Sequence, residues 1–211
     1  SQLVAVSCHY DIVEWLQPDW TYEPIGNKFE WRSLRRRPDI EMEVRRCTVA
    51  AWDLFKAHHY LSTSINKSAA CFVAEIEGRP TAFASVISFM HPTAPGWKSH
   101  RVVCLPDFQG VGIGNALAEY VASMFLSTGK PFYATTANHS MIHYRARSKK
   151  WKMTRSERVA KTERKLGPTS FTRNTYGFRY VGPSNVEDAL EFGIVPTGLS
   201  QGSAKPAARP K

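Results

Sequence analysis

Val102-Val103-Cys104-Leu105-Pro106-Asp107-Phe108-Gln109-Gly110-Val111-Gly112-Ile113-Gly114-Asn115-Ala116-Leu117 is the stretch that decides the fold. An apolar strand-like run ends at Leu105, glycines follow, and a helical pattern begins. Glycine lets the backbone come close to an anion, because no Cβ intervenes. The free N–H groups of a helix start, together with the helix dipole, then hold phosphate. Leu117, Tyr120, Val121, Met124 and Phe125 recur at the spacing of one helix face, which predicts a helix from Gly112 to about Ser127, closed by Gly129. The amides of Gly110, Val111, Gly112, Ile113 and Gly114, with Leu105 and Gln109 beside them, are candidates to hold a phosphate, and a glycine-rich helix start with no ligand is the other reading. A dinucleotide-binding turn would read GxGxxG, with an acid about twenty residues on. Here the order is QGxGxG, mid-chain.

Working towards the N-terminus, His100–Leu105 reads as a strand. Thr81–Phe89 is a second strand and Cys71–Ile76 a third, joined by the hairpin turn Glu77-Gly78-Arg79-Pro80. Glu41–Arg46 reads as a short strand, and Thr48 as the cap of a helix over about Val49–Ala57. Residues 1 to 40 suggest short strands and loops, with a basic run at Arg35, Arg36 and Arg37. Working towards the C-terminus, Phe132–Thr136 is a strand, Ser140 to about Lys149 a helix, and Phe171–Val181 a last strand or hairpin. Residues 198–211 are Gly, Ser, Ala, Pro and Lys-rich and are expected to be a disordered basic tail. The expected organisation is a single domain over 1–197 with an N-terminal extension of about 1–45.

The chain has 28 Lys and Arg against 18 Asp and Glu, a net charge of +10. That favours an acidic cofactor or a nucleic-acid partner, with solubility alone as the bland alternative. Arg145, Arg147, Lys149, Lys150, Lys152 and Arg155, with Trp151 interleaved, form a candidate nucleic-acid-binding run. A solvated helix or loop is the other reading of it. Cys8, Cys47, Cys71 and Cys104 form no CxxC pair, which fits a reducing cytoplasm better than secretion. No stretch approaches the roughly 18 to 20 apolar residues that span a bilayer. The N-terminus lacks the basic start and apolar run of a signal peptide.

The (Q/R)xxGx(G/A)-type turn, entered from a strand hairpin and followed by an amphipathic helix, resembles motif A of the GNAT superfamily. The resemblance implies an α/β (α+β) GNAT fold. Its central mixed, mostly antiparallel sheet is splayed at the donor site and flanked by helices. It also implies that the turn binds the pyrophosphate of acetyl-CoA or of another phosphate-bearing acyl or glycyl donor. In that family the acyl group lies between the strands before and after the turn, so Thr136 falls at the site. A tyrosine of the next helix, here Tyr144, would protonate the leaving thiolate. The Gly-Phe that usually closes this motif is replaced by Lys149-Lys150-Trp151. Arg101 could balance an anion in the cleft, and Asp107 could act as a base or cap the turn.

His58-His59-Tyr60-Leu61-Ser62, Asn66–Ala74, Gly78–Phe83, His100–Gly114 and Arg145–Arg155 together resemble a narrower group, the phage-associated Mom-type GNAT proteins. That resemblance covers about Phe55–Arg155. It implies transfer of an acetamido (carbamoylmethyl) group to N6 of adenine in double-stranded DNA, protecting the DNA from restriction, in the cytoplasm of a bacterial host. It would make His59 and Tyr60 the catalytic pair, with iron linked to them. Read from the residues alone, His59 is a candidate base, a weak metal ligand, or a hydrogen-bonded structural histidine. The alternative activity is a conventional acetyl-CoA-dependent N-acetyltransferase for a small amine or a protein.

Overall fold

The computed structural model describes residues 3–9, 12–31, 40–59, 63–91, 93–159 and 174–197. The chain divides into two compact units, Ser1–Glu41 and Met42–Lys211. Arg35–Arg37, Tyr60 and the tail from 198 lie outside the described residues.

The first unit holds helix α1 (Ile12–Leu16) and a hairpin of strands β1 (Trp20–Glu23) and β2 (Lys28–Trp31). Asn27 takes a φ of +45° at the turn, a conformation that asparagine tolerates better than most residues. The Tyr22 hydroxyl donates to its Oδ1 at 3.0 Å. Phe29 stacks on Trp20, with centroids 5.6 Å apart, and meets Trp31 edge-on at 5.2 Å. These three rings pack on one another along the hairpin.

The second unit is built on one sheet. Its strands are β3 (Glu43–Cys47), β4 (Ala70–Ile76), β5 (Arg79–Phe89), β6 (Gly96–Cys104), β7 (Phe132–Thr136), β8 (Trp151–Val159) and β9 (Asn174–Tyr180). They lie in the order β3-β4-β5-β6-β7-β9-β8. Each neighbouring pair is antiparallel except β6 with β7, which is parallel. The β4–β5 hairpin closes through Glu77 (φ +51°) and Gly78 (φ +72°), the two left-handed residues that a tight hairpin needs to match the strand twist. Helix α2 (Ile113–Leu126) crosses between β6 and β7. Helices α3 (His139–Arg147) and α4 (Val186–Glu191) follow β7 and β9.

The sheet is buried on two faces. Leu117, Val121, Met124 and Phe125 of α2 pack on Phe72, Ala74, Ala82, Ala84, Phe132, Ala134 and Phe178. Ala118 and Ala122 keep the helix close to the strands, which carry small residues where it crosses. On the other face Trp52 and Phe55 pack on Cys71, Val73, Phe83 and Val103. Each large side chain buried this way is worth about 1.5–3 kcal/mol.

Three expectations change. The segment after Thr48 is a pair of short 3-10 turns, Val49–Leu54 and Lys56–His58, and the Thr48 side chain makes no capping bond. Only Trp52 is buried in the first turn and none in the second, so no helical stripe is available to extend either. The basic run beyond Lys150 is strand β8 rather than a solvated helix or loop, and it forms one edge of the sheet. Its charged residues are the ordinary protection of an exposed edge. Helix α4 has no counterpart among the expected elements. Among the described residues, no helix is long and apolar enough to cross a membrane.

Candidate active site

The site begins where β6 and β7 part. They pair only at Trp97↔Phe132 and Lys98↔Tyr133. Gly96 sits at the point of closest approach: a Cβ there would stand 2.2 Å from the Pro131 carbonyl oxygen. Beyond Lys98 the parallel pairing stops, and Ser99–Cys104 faces Ala134–Thr136 across a splay. A register shift between Ser85 and Val86 pairs them with Arg101 and Ser99, so His100 bulges out of β6 and bends that strand away from β7.

At the far end of β6, the chain turns through Pro106–Phe108 into α2. The Gln109 side chain donates through Nε2 to the Cys104 carbonyl at 2.8 Å, closing the turn on the strand it leaves. Gly110 and Gly112 take φ of +89° and +98°, which a side chain would strain. Gly112 is the N-cap residue of α2 and brings no side-chain cap. The amides of Gly110, Val111, Gly112 and Ile113 donate to no group among the described residues. The Gly114 amide, expected with them, instead meets the Cys104 thiol and offsets part of the rise that burial gives its pKa. Four exposed or chain-leading amides at a helix start fit a phosphate. Leu105 packs half-buried against the Trp52 cluster, so its side chain belongs to the core on the opposite face from α2. Asp107 lies exposed in the 3-10 turn and, with Gly112 as the cap residue, does not cap α2.

Around the bulge, the Arg101 guanidinium donates through Nη2 and Nε to the Ser64 carbonyl at 2.9 and 3.2 Å, pinning the loop before β4. Its backbone N–H donates to Ser85 Oγ at 3.1 Å. The expected counter-charge for a cleft anion is thus engaged as a loop staple. The Asn66 amide donates to His100 Nε2 at 3.1 Å. Burial, followed by Arg101, His59 and Lys98, lowers the His100 pKa to about 4, so this ring is neutral. His59 is within electrostatic reach of it and meets Trp52 edge-on, with centroids 5.5 Å apart. Among the described residues no three His, Cys, Asp or Glu side chains converge as a metal site. The iron expectation on His59 and Tyr60 therefore gains no ligand set.

Across the splay, Thr136 is buried at the end of β7, and its hydroxyl accepts the Asn138 amide at 3.0 Å. Asn138 caps α3 by accepting the Met141 amide at 3.1 Å. The Tyr144 hydroxyl, expected to face a thiolate, donates at 2.9 Å to Glu119 of α2. Burial and that bond raise its pKa to about 12, so it holds its proton. Glu119 is 6% exposed and also accepts from Lys150 Nζ at 2.9 Å, Trp151 Nε1 at 3.1 Å and Ser148 Oγ at 3.4 Å. This buried carboxylate ties α2, α3 and β8 together. Sequence reading passed over it as one acid on an otherwise apolar helix face.

The basic run is corrected in detail. Trp151 is 6% exposed and packs on Phe132 and Tyr180, so it is not a base-stacking ring. Arg145 is 2% exposed, with its guanidinium 4.5 Å over the Trp151 ring, and cannot meet a phosphate. Lys150 is paired to Glu119. Arg147, Lys149 and Lys152 remain exposed, and Arg155 is half-buried on β8.

Residues 67–147 match the model of the acetyltransferase (GNAT) domain. No curated protein matches the sequence. Among solved structures, the ribosomal-protein-S18-alanine N-acetyltransferase from Escherichia coli is 14% identical, covering 70% of this chain and 98% of its own at a TM-score of 0.50. A Bacillus subtilis acetyltransferase in complex with CoA is 12% identical, covering 67% and 98% at 0.50. A Salmonella typhimurium protein with its cofactor acetyl-CoA is 15% identical, covering 68% and 98% at 0.50. The chain has the GNAT fold, a mixed and mostly antiparallel sheet flanked by helices, and residues 67–147 of it are similar to the acetyltransferase (GNAT) domain.

Proposed function

We propose that the chain is an acetyl-CoA-dependent N-acyltransferase. The observation that carries this reading is the parting of β6 from β7, which leads to four amides at the start of α2 that have no partner among the described residues. Acetyl-CoA would supply a thioester carbonyl. Gly110, Val111, Gly112 and Ile113 would hold its phosphates, and the β6 edge from Ser99 to Cys104 would offer backbone groups to an extended arm, as a strand edge does. His59, beside the bulge, is the proposed base for an acceptor amine. Tyr144 and Thr136 line the β7 side as the proposed polar wall. In the resting enzyme the Tyr144 proton points to Glu119, so a role as acid requires its hydroxyl to leave that carboxylate. Thiol release from acetyl-CoA over a panel of amines and N-terminal peptides tests the reading. Turnover that falls at least tenfold in His59→Ala is the supporting result, and turnover unchanged by that substitution removes His59 from the chemistry.

A second acceptor class is favoured by charge and by the Mom-type stretches quoted above: adenine in double-stranded DNA, modified at N6. The net charge of +10 suits a polyanion. A duplex adenine would have to leave the stack to reach the splay, at about a few kcal/mol. Nucleoside mass spectrometry of DNA from cells expressing the chain tests it. A deoxyadenosine heavier by an acetamido group is the supporting result, whereas unmodified DNA alongside amine-dependent thiol release leaves the amine or protein acceptor.

A further inference from the structure

The face of the sheet opposite α2 changes character at the splay. Over β4, β5 and β6 it is covered by the Trp52, Phe55 and Phe83 cluster. Beyond that, register aligns Lys98, Tyr133, Arg179 and Lys152 in one row across the neighbouring strands β6, β7, β9 and β8. Residues paired directly across strands share a face. The next row holds Thr135, Gly177 and Arg155. Phe132, Ala134, Phe178, Trp151 and Tyr180, the alternate positions on the same strands, are in the core under α2. The cations therefore lie on the other side.

Among the described residues, no acidic side chain pairs with these cations. Thr135, Lys152 and Arg179 are exposed, and Lys98 and Arg155 are half-buried. The Arg155 Nε is buried without a hydrogen-bond partner, a bare donor of the kind folded chains seldom leave. Gly177 allows the arginine to lie over β9: a Cβ there would come within 3.3 Å of the Arg155 Cβ. Arg155 is near enough to Lys98 for its charge to add to the effect of burial in lowering the lysine pKa. The Lys98 ammonium rests 4.9 Å from the centre of the Phe89 ring. Like charges gathered with no anion among the described residues, beside a buried Arg155 Nε that has no partner, match what a phosphate requires.

We propose that this face, centred on Lys98, Arg155 and Arg179, is a phosphate-binding site for the acceptor substrate. It is distinct from the turn at 110–113. Lys98 and Cys104 are six residues apart on β6, about 20 Å at strand rise, so the two anion sites sit at opposite ends of the splay. Calling the ligand the acceptor rests on the transferase reading; the phosphate site itself does not.

The test follows the arginine Nε–Hε resonances of the isotope-labelled chain while inorganic phosphate is added at constant ionic strength, with CoA already saturating so that the donor turn is filled. The Arg155 resonance is expected to shift saturably with phosphate and not with chloride or acetate. Lys98→Met and Arg179→Met are each expected to weaken that binding at least threefold while leaving CoA affinity within twofold. A resonance that stays still, or that moves equally with chloride, overturns the site. If CoA fails to bind the wild-type chain, the transferase reading falls, and the same phosphate titration without CoA still decides this inference.

Discussion

At the scale of single residues, Glu119 concentrates the most consequence in one side chain. It accepts from Tyr144, Lys150, Trp151 and Ser148, and it is buried while Lys150 is half in water. Removing it leaves the Trp151 and Tyr144 donors bare, at about 2–4 kcal/mol, with the exposed Lys150 contributing under about 1 kcal/mol of that. Glu119→Ala is expected to lower the midpoint of thermal unfolding by roughly 5–12 °C. Glu119→Gln, which keeps an acceptor oxygen, is expected to lose about half as much. A midpoint unchanged in Glu119→Ala would show that the carboxylate is not the tie described. His100 makes a second residue-scale prediction. Its folded pKa, about 4, lies below the unfolded value of about 6.5. Between those values the unfolded chain binds more protons, so stability falls as pH drops from about 6.5 towards 4. Unfolding midpoints measured at pH 5 and pH 7 should differ less in His100→Gln than in the wild type.

At the scale of elements, much was legible because the physics is local. The turn from Gln109 to Gly114, the α2 stripe and the Glu77-Gly78 hairpin each follow from glycine conformations and a 3.6-residue period. What was not legible depends on partners distant in sequence. Strand β8 reads as a run of charges because it is an edge strand, and the apolar alternation survives only at Trp151 and Met153. Arg145 reads as a phosphate ligand until Trp151 and Phe178 close over it. Nothing near Glu119 in sequence announces that four donors from α3, β8 and the turn between them will meet it. The splay itself is a register fact, and Gly96 is its local mark. Gly96→Ala places a methyl group 2.2 Å from the Pro131 oxygen and must push β6 from β7 where they touch. It is expected to destabilise the fold by about 1–3 kcal/mol, the usual range for overpacking, as read by chemical denaturation. Full stability in that variant would mean that the strands are not held at this point.

At the scale of the whole molecule, charge and fold divide the work. On the proposed reading, the GNAT sheet supplies one anion-binding turn from backbone amides, which needs no side-chain charge. The net charge of +10 is largely surplus to that turn, and four of its cations share one sheet face across β6, β9 and β8. If the acceptor is DNA, the logarithm of the binding constant should fall against the logarithm of salt with a slope of about −3 to −4 for four neutralised phosphates. Arg179→Met should reduce that slope by about 1. A flat salt dependence would exclude a DNA acceptor on this face and leave the amine or protein reading.

The account rests most heavily on the donor turn, and calorimetric titration of acetyl-CoA into the wild-type chain and into Gly112→Val tests it directly. Gly112 lies at a φ of +98°, where a β-branched residue is strained, and its substituent would enter the space beside the amides of this turn. The account predicts one acetyl-CoA bound per wild-type chain and affinity at least tenfold weaker in the variant. Equal affinity in the two chains, or no binding to the wild type, would contradict it.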